Sequence, residues 1–251
     1  MDDKLPGPPL AAVNQPPHGV PLLRRDFLRG AAGVALVSAF APAMAPARTP
    51  GSAAADTSHV PGYFTPAEWA FVNAAVDRLI PADGNGPGGV EAGVPVFLDR
   101  QMQLPYGHGA CWYMQGPFHP EVAATLGYQM RFTPRELYRA GIAIVERAAQ
   151  QAYGKAFAEL DAGKCDAVLT LADQGKLTHD ADVGAAFFAL LLKNTREGYF
   201  ADPMYGGNRE MAAWKLVGFP GARADFTDWI NQQGRRYPYG PVSINGSRGQ
   251  A

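Results

Sequence analysis

The chain has 251 residues, of which 47% are hydrophobic, so it is long enough and apolar enough to bury a core. Its formal net charge of -1 argues against a nucleic-acid-binding protein, because such proteins usually carry a basic excess. The 29 glycines and 22 prolines exceed ordinary usage and predict either long loops or a segment outside the folded domain.

The beginning of the chain has the pattern of an export signal. Arg24 and Arg25 stand just ahead of Phe27 and Leu28, and the uncharged, weakly apolar stretch 30–47 follows. This order is typical of a twin-arginine signal. The stretch is shorter and milder than the roughly 20 apolar residues of a good membrane-spanning helix. We therefore predict export to the periplasm, with the twin-arginine translocase as a partner.

The signal sets the expected division of the chain. Small residues at its end favour cleavage after Ala47, and the stretch that follows is small, polar and without helical periodicity. We predict four segments: a signal peptide over 1–47, a linker over 48–62, a helical domain over 63–234 and an irregular tail over 235–251.

Apolar residues at helical spacing predict an all-α fold, and no run of alternating residues indicates a strand. The first helix is expected to begin at Pro66, because Thr65 can cap it and Glu68 can complete a capping box. Thr133 and Glu136 repeat this signal and predict a helix to about residue 153. Further helices are predicted over 91–104, 164–173, 182–197 and 208–217. The expected architecture is one helical domain with long Gly/Pro-rich loops.

Two details of these helices are also predicted from pattern. The nearly continuous apolar run 187–192 indicates that its helix is central and buried. Asp161 and Asp166 fall near a predicted helix end, where capping explains their presence.

Motifs for catalysis are largely missing from the sequence. The glycine-rich loop 84–89 lacks the strand and the lysine of a phosphate-binding loop. His108, Cys111 and His119 could in principle hold zinc, but a fourth ligand is not evident. Cys111 and Cys165 are the only cysteines, and their spacing leaves both a disulfide and free thiols open. We therefore expect no catalytic, cofactor-binding or metal-binding residue in this chain.

The most specific stretch of the sequence runs from Glu197 to Asn208 and resumes from Trp214 to Gly221. Shorter stretches accompany it in a fixed order: Leu79–Asp83, Gly86–Val94, Phe97–Gln101 and Glu136–Arg139. Together, from about residue 64 to 221, they resemble the gluconate 2-dehydrogenase subunit 3 family, the small subunits of membrane-bound flavin dehydrogenases.

This resemblance implies an accessory role. Complexes of the family combine a large, FAD-bearing catalytic subunit, often a multihaem cytochrome c subunit, and a small subunit without a cofactor. The large subunit usually lacks an export signal, so the small subunit is expected to escort it through twin-arginine export and to stabilise it. The complex is expected at the periplasmic face of the membrane, where it oxidises gluconate or related sugars and sugar acids.

The same stretch contains a candidate partner interface. Asp202 and Pro203 favour a turn, Gly206 and Gly207 permit close backbone approach, and Asn208 can cap a helix. Aromatic residues surround this turn, and such residues often anchor interfaces. The candidate interface comprises Tyr199, Phe200, Asp202, Pro203, Tyr205, Gly206, Gly207, Asn208 and Trp214.

Alternatives to this interpretation stay open. The turn could lock a loop onto its own core instead of binding a partner, and the two roles are compatible. The chain could also be a stand-alone periplasmic enzyme that uses a metal at His108, Cys111 and His119, or a free-standing protein that binds a sugar acid.

Overall fold

The computed structural model describes residues 59–177 and 180–249, which belong to one unit, Arg48–Ala251. Arg24, Arg25, Phe27, Leu28 and the whole predicted signal peptide lie outside the described residues, as does most of the predicted linker. The described residues form six α-helices: α1 Pro66–Leu79, α2 Val94–Gln103, α3 Pro134–Tyr153, α4 Ala162–Asp173, α5 Ala181–Phe200 and α6 Ala212–Val217.

Loops with short 3-10 turns join these helices. The turns are Ala124–Leu126, Phe157–Glu159, Pro203–Tyr205, Arg209–Met211 and Thr227–Trp229. Within 59–177 and 180–249, extended pairing is limited to isolated bridges at Val242, so the predicted all-α fold is confirmed. In the same ranges, no helix has the length and apolar character needed to cross a membrane.

The helix starts follow the predicted capping signals. The Glu68 carboxylate accepts a hydrogen bond from Thr65 N at 2.8 Å, and Glu68 N donates to Thr65 Oγ1 at 3.3 Å. Glu136 accepts from Thr133 N at 2.8 Å in the same way. Each pair satisfies backbone donors that a helix start leaves free, so both predicted starts are confirmed.

The two aspartates near α4 have different roles. Asp161 caps α4, because its carboxylate accepts from Lys164 N at 3.0 Å. Asp166 lies inside α4, and its carboxylate accepts two hydrogen bonds from Arg78 on α1, at 2.8 and 3.0 Å. The capping interpretation was therefore wrong for Asp166, which links two helices instead.

Three helix boundaries differ from the prediction by three or four residues. α2 begins at Val94, because Gly93 before it has a left-handed backbone (φ 81). α5 continues to Phe200, so Phe200 ends a helix and does not belong to the turn. α6 begins only at Ala212. Glu210 and Met211, directly before it, have positive φ angles of 55 and 57, and a regular helix cannot include residues with such angles.

The core forms around α5, which packs against all five of the other helices. Phe187, Leu190 and Leu191 are buried, as the apolar run predicted. The Phe187 ring lies 5.4 Å from that of Tyr138 on α3 and 6.1 Å from that of Phe71 on α1, so one side chain joins three helices.

A buried carboxylate fixes the segment that leads into α1. Asp99 on α2 has no exposed surface. Its oxygens accept hydrogen bonds from the backbone N–H groups of three successive residues, at 3.0, 2.9 and 3.2 Å, those of Gly62, Tyr63 and Phe64. His59 Nε2 lies 3.1 Å from the same carboxylate, and Gln103 Nε2 donates to it at 2.9 Å. Because the charge is met by five donors, its burial is tolerated.

We expect Asp99→Asn to destabilise the domain strongly. The amide replaces one acceptor oxygen with a donor, and each buried donor left unsatisfied costs about 1–3 kcal/mol. Asp166→Asn is the control, since its ion pair is partly exposed and contributes at most about 1 kcal/mol. Urea unfolding of both variants measures the difference. Equal free energies of unfolding for the two variants would contradict this role of Asp99.

Candidate partner interface

The turn after α5 closes the end of that helix. The last carbonyl groups of a helix have no partner within it. Here the side chain of Asn208 donates from Nδ2 to Ala201 O at 2.9 Å, and Trp214 donates from Nε1 to Phe200 O at 2.9 Å. Asn208 Oδ1 also accepts from Ala213 N at 2.9 Å. Asn208 therefore serves the end of α5 and the start of α6 together.

The two glycines of the turn are required by its conformation. Gly206 has a φ of 106, which favours glycine. A Cβ atom on Gly207 would lie 2.0 Å from the carbonyl oxygen of Gly198 on α5. The turn thus lies directly against α5 at a distance that excludes any side chain.

Asp202 connects the turn to the end of the chain. This buried carboxylate accepts hydrogen bonds from Met204 N at 3.1 Å, Ser243 Oγ at 2.5 Å and Ile244 N at 2.7 Å. Burial opposes ionisation, but these three donors outweigh burial and lower the pKa of Asp202 below its ordinary value. Residues 235–249 lack helix, as predicted for the tail, yet this contact fixes them to the domain.

The predicted interface residues divide between interior and surface. Five of them are buried and brace the turn: Tyr199, Asp202, Gly207, Asn208 and Trp214. Pro203 and Gly206 are half-buried, whereas Phe200 and Tyr205 are exposed. The turn therefore holds itself to the core through one set of side chains and presents another set to the outside.

Further exposed apolar residues adjoin this turn. We define the apolar face by its seven exposed members: Phe200, Met204, Tyr205, Leu216, Val217, Phe219 and Ile244. Its segments are tied together, because Trp214 bonds to Phe200 O, Phe219 N donates to Trp214 O at 2.8 Å, and Ile244 N bonds to Asp202. Exposed apolar residues that gather on one part of a surface are typical of sites of protein interaction.

Sequence reasoning missed five members of the apolar face, Met204, Leu216, Val217, Phe219 and Ile244. For Leu216 and Val217 the sequence did contain a signal, because they follow Trp214 on a short predicted helix. When Trp214 is buried, these two apolar side chains lie on the exposed side of α6. For Ile244 the sequence contained no such signal, because only the hydrogen bond from its backbone N–H to Asp202 brings it next to the turn.

The residues considered for zinc do not form a site. His108 lies beside Arg135, with Nε2 2.7 Å from Nη1 of that guanidinium, and His119 pairs with Glu121 at 3.0 Å. Across 59–177 and 180–249, no group of three or more histidine, cysteine or acidic residues could hold a metal ion. The structure therefore gives no support to the metal-dependent alternative at this loop.

The two cysteines are free thiols in the structure. Cys111 is exposed in the loop after α2, whereas Cys165 is buried on α4. Burial raises the pKa of the Cys165 thiol to about 11. The thiol contacts Phe157 O at 3.4 Å, so Cys165 behaves as a core residue, and no intrachain disulfide is formed here.

Two grooves lie where the loop between α2 and α3 covers α3 and α5. One has a volume of ≈ 400 Å³ and the other of ≈ 490 Å³, and Pro120 and Met130 line both. The first also contacts Trp112 and Tyr128, with Lys193 as the charged group on its wall. These aromatic and aliphatic walls suit an apolar group better than a sugar acid. The second groove is also lined by the charged residues Arg131, Asp180 and Asp182.

The family model described as gluconate 2-dehydrogenase subunit 3 matches residues 66–221, which include all six helices and the turn. The chain belongs to this family. Searches of curated proteins and of solved structures returned no match. Membership in the subunit 3 family supports an accessory role in a dehydrogenase complex.

We expect Gly207→Ala to destabilise the domain, because its methyl group overlaps the Gly198 carbonyl and overpacking costs about 1–3 kcal/mol. Gly84→Ala is the matched control, since nothing lies within 4 Å of a Cβ at that position. Thermal unfolding followed by circular dichroism compares the two. A Gly207→Ala protein as stable as the control would show that the turn does not lie against α5 as described.

Proposed function

We propose that this chain is the non-catalytic small subunit of a periplasmic, FAD-dependent dehydrogenase complex that acts on gluconate or a related sugar or sugar acid. The family match carries the accessory role. We propose in addition that the chain escorts the large subunit through twin-arginine export and stabilises it, and that the complex associates with the membrane. In this proposal FAD resides in the large subunit and haem c in a cytochrome subunit where one is present.

The apolar face is the single observation that supports partner binding best. Its seven large side chains are each roughly half exposed, so covering each one would add about half of the roughly 1.5–3 kcal/mol that complete burial of an exposed apolar side chain contributes. A lone domain gains nothing from this exposure. A partner surface that covers the face recovers that free energy, and part of it becomes affinity.

The rigidity of the turn also favours binding. Association is weakened by the entropy of ordering loops and side chains. Here Asn208, Trp214 and Asp202 hold the backbone beneath the exposed side chains before any partner arrives. The apolar face is therefore preorganised, as expected for a subunit that recognises a folded partner.

The export pattern links this surface to the escort role. Arg24 and Arg25, with Phe27 and Leu28, lie on the same chain as the apolar face. A partner that lacks a signal of its own can cross only if it is already bound when the pair is exported. The proposal therefore requires that the apolar face be occupied in the cytoplasm, before translocation.

The escort role predicts the fate of both proteins when the signal is altered. With Arg24→Lys and Arg25→Lys combined, we expect the small subunit and the large subunit to remain in the cytoplasm, because the translocase reads the arginine pair. Arg48→Lys, outside the pattern, is the control and should leave export unchanged. Fractionation with immunoblotting of both subunits measures this. Normal export of the large subunit by the double variant would refute the escort role.

The interface predicts a loss of binding when charge enters the apolar face. We expect Leu216→Asp to reduce recovery of the co-expressed large subunit by at least tenfold, because a buried, unpaired carboxylate opposes association. Leu171→Asp is the matched control, since both leucines lie near a helix end and are 50% and 41% exposed, respectively. Affinity purification with FAD absorbance reports the bound partner. Equal recovery with both variants would exclude this face from the interface.

A further inference from the structure

The last part of the chain lies beyond the family match and is nevertheless anchored. The match ends at residue 221, whereas the structure continues to residue 249. We call residues 235–249 the C-terminal strap. Val242 N donates to Pro220 O at 3.1 Å, and Val242 O accepts from Ala222 N at 2.7 Å, so the strap is bound to the chain just after α6.

Asp202 provides the deepest anchor of the strap. Ser243 is 2% exposed and donates from Oγ to the Asp202 carboxylate, as the N–H of Ile244 also does. A tight turn stabilises these two residues, because Ser243 N donates to Ser247 O at 2.9 Å. The turn of the family motif thus fixes a segment that lies about 40 residues later in the sequence, with separations of 41 and 42 residues.

An arginine holds the beginning of the strap. The Arg223 guanidinium lies 4.9 Å from the ring centre of Tyr237 and 5.5 Å from that of Tyr239. Its Nη2 donates to Gly240 O at 2.6 Å. The Tyr237 ring also packs edge-on against Trp229, with ring centres 5.5 Å apart. Cation–π contacts and hydrogen bonds therefore fix the strap at both of its ends.

The strap presents large side chains to the outside, one of which belongs to the apolar face. Ile244 is 64% exposed although its backbone is bound to Asp202, and Tyr239 is 58% exposed beside Arg223. A strap that served only to cover the core would turn such side chains inward. Its backbone is fixed while its large side chains face outward, as in the turn itself.

Charge separates this region from the rest of the domain. Residues 199–251 contain six basic and four acidic side chains, whereas residues 59–198 contain 11 basic and 15 acidic ones. Lys215, Arg235, Arg236 and Arg248 are all exposed in the basic region. The apolar face therefore lies in a basic part of an otherwise acidic domain, and a matching surface has an apolar centre and an acidic edge.

We propose that the C-terminal strap is part of the surface that binds the large flavoprotein subunit, and that it meets an apolar region edged by acidic side chains on that subunit. The inference rests on the proposed function and extends it to residues outside the family match. Asp202 and Arg223 hold the strap in place, Ile244 belongs to the apolar face, and Arg235 and Arg236 are exposed positive charges at the start of the strap. An anionic membrane shares this chemistry, but it needs no fixed backbone under the exposed side chains, whereas a folded protein partner does.

The test uses the full-length chain co-expressed with the large flavoprotein subunit. We expect Ile244→Asp to weaken the complex at least tenfold, while Leu126→Asp, at a site of matching exposure (66%), changes it less than twofold. Affinity is measured by titration of the purified large subunit, with its FAD absorbance confirming identity. Circular dichroism verifies that both variants are folded.

A charge reversal tests the acidic edge independently. Arg235→Glu with Arg236→Glu should weaken the complex and reduce the dependence of its affinity on salt, because favourable long-range attraction is lost. Lys155→Glu with Lys176→Glu, two exposed lysines outside this region, is the control and should leave both quantities unchanged.

The outcomes separate the two proposals. If the unaltered chain fails to bind the flavoprotein, the proposed function falls and the strap inference falls with it. If the unaltered chain binds but Ile244→Asp binds equally well, only the strap inference is overturned. A third outcome concerns vesicles of phosphatidylcholine and phosphatidylglycerol. If the mature chain binds them, and Ile244→Asp abolishes that binding but leaves the protein complex unaffected, the strap inference is also overturned and the strap is assigned to the membrane.

Discussion

The end of α5 imposes the constraint on which the rest of the site depends. α5 packs against every other helix, and its last carbonyl groups still need hydrogen-bond donors. Asn208 and Trp214 supply two of them, so the turn must fold back over the helix end. That return brings Gly207 onto Gly198 and places α6 beside α5. The first role of the most distinctive stretch of the sequence is therefore to satisfy the carbonyl groups at the end of α5.

This closure explains how one short segment can brace the core and also present exposed apolar side chains. A backbone held from inside by polar side chains leaves neighbouring side chains to point outward without loss of order. Trp214 is buried while Leu216 is exposed two residues later, and Asp202 is buried while Met204 is exposed. The two interpretations of the turn, internal brace and partner interface, are thus consequences of the same arrangement. A rigid backbone is also what makes exposed apolar side chains useful for recognition.

Local signals made much of the fold predictable, whereas distant contacts did not. The Thr65–Glu68 capping box operates over three residues, so its sequence was sufficient to predict its geometry. Asp99 gathers donors from about 36 residues away, with separations of 35 to 37 residues, and only the packed fold shows that it meets them. The start of α6 was predicted too early because Glu210 and Met211 adopt left-handed backbone angles. Such angles are strained for residues other than glycine, and local sequence preference does not predict them.

Two buried carboxylates hold segments near opposite ends of the residues that the structure describes. Asp99 binds backbone N–H groups of the segment that leads into α1, and Asp202 binds one from the C-terminal strap. Each carboxylate replaces the hydration it loses with donors that only the folded chain can bring together. In the proposed function, a partner that binds the apolar face binds the completed fold, because the face forms only when the turn and the strap are both in place.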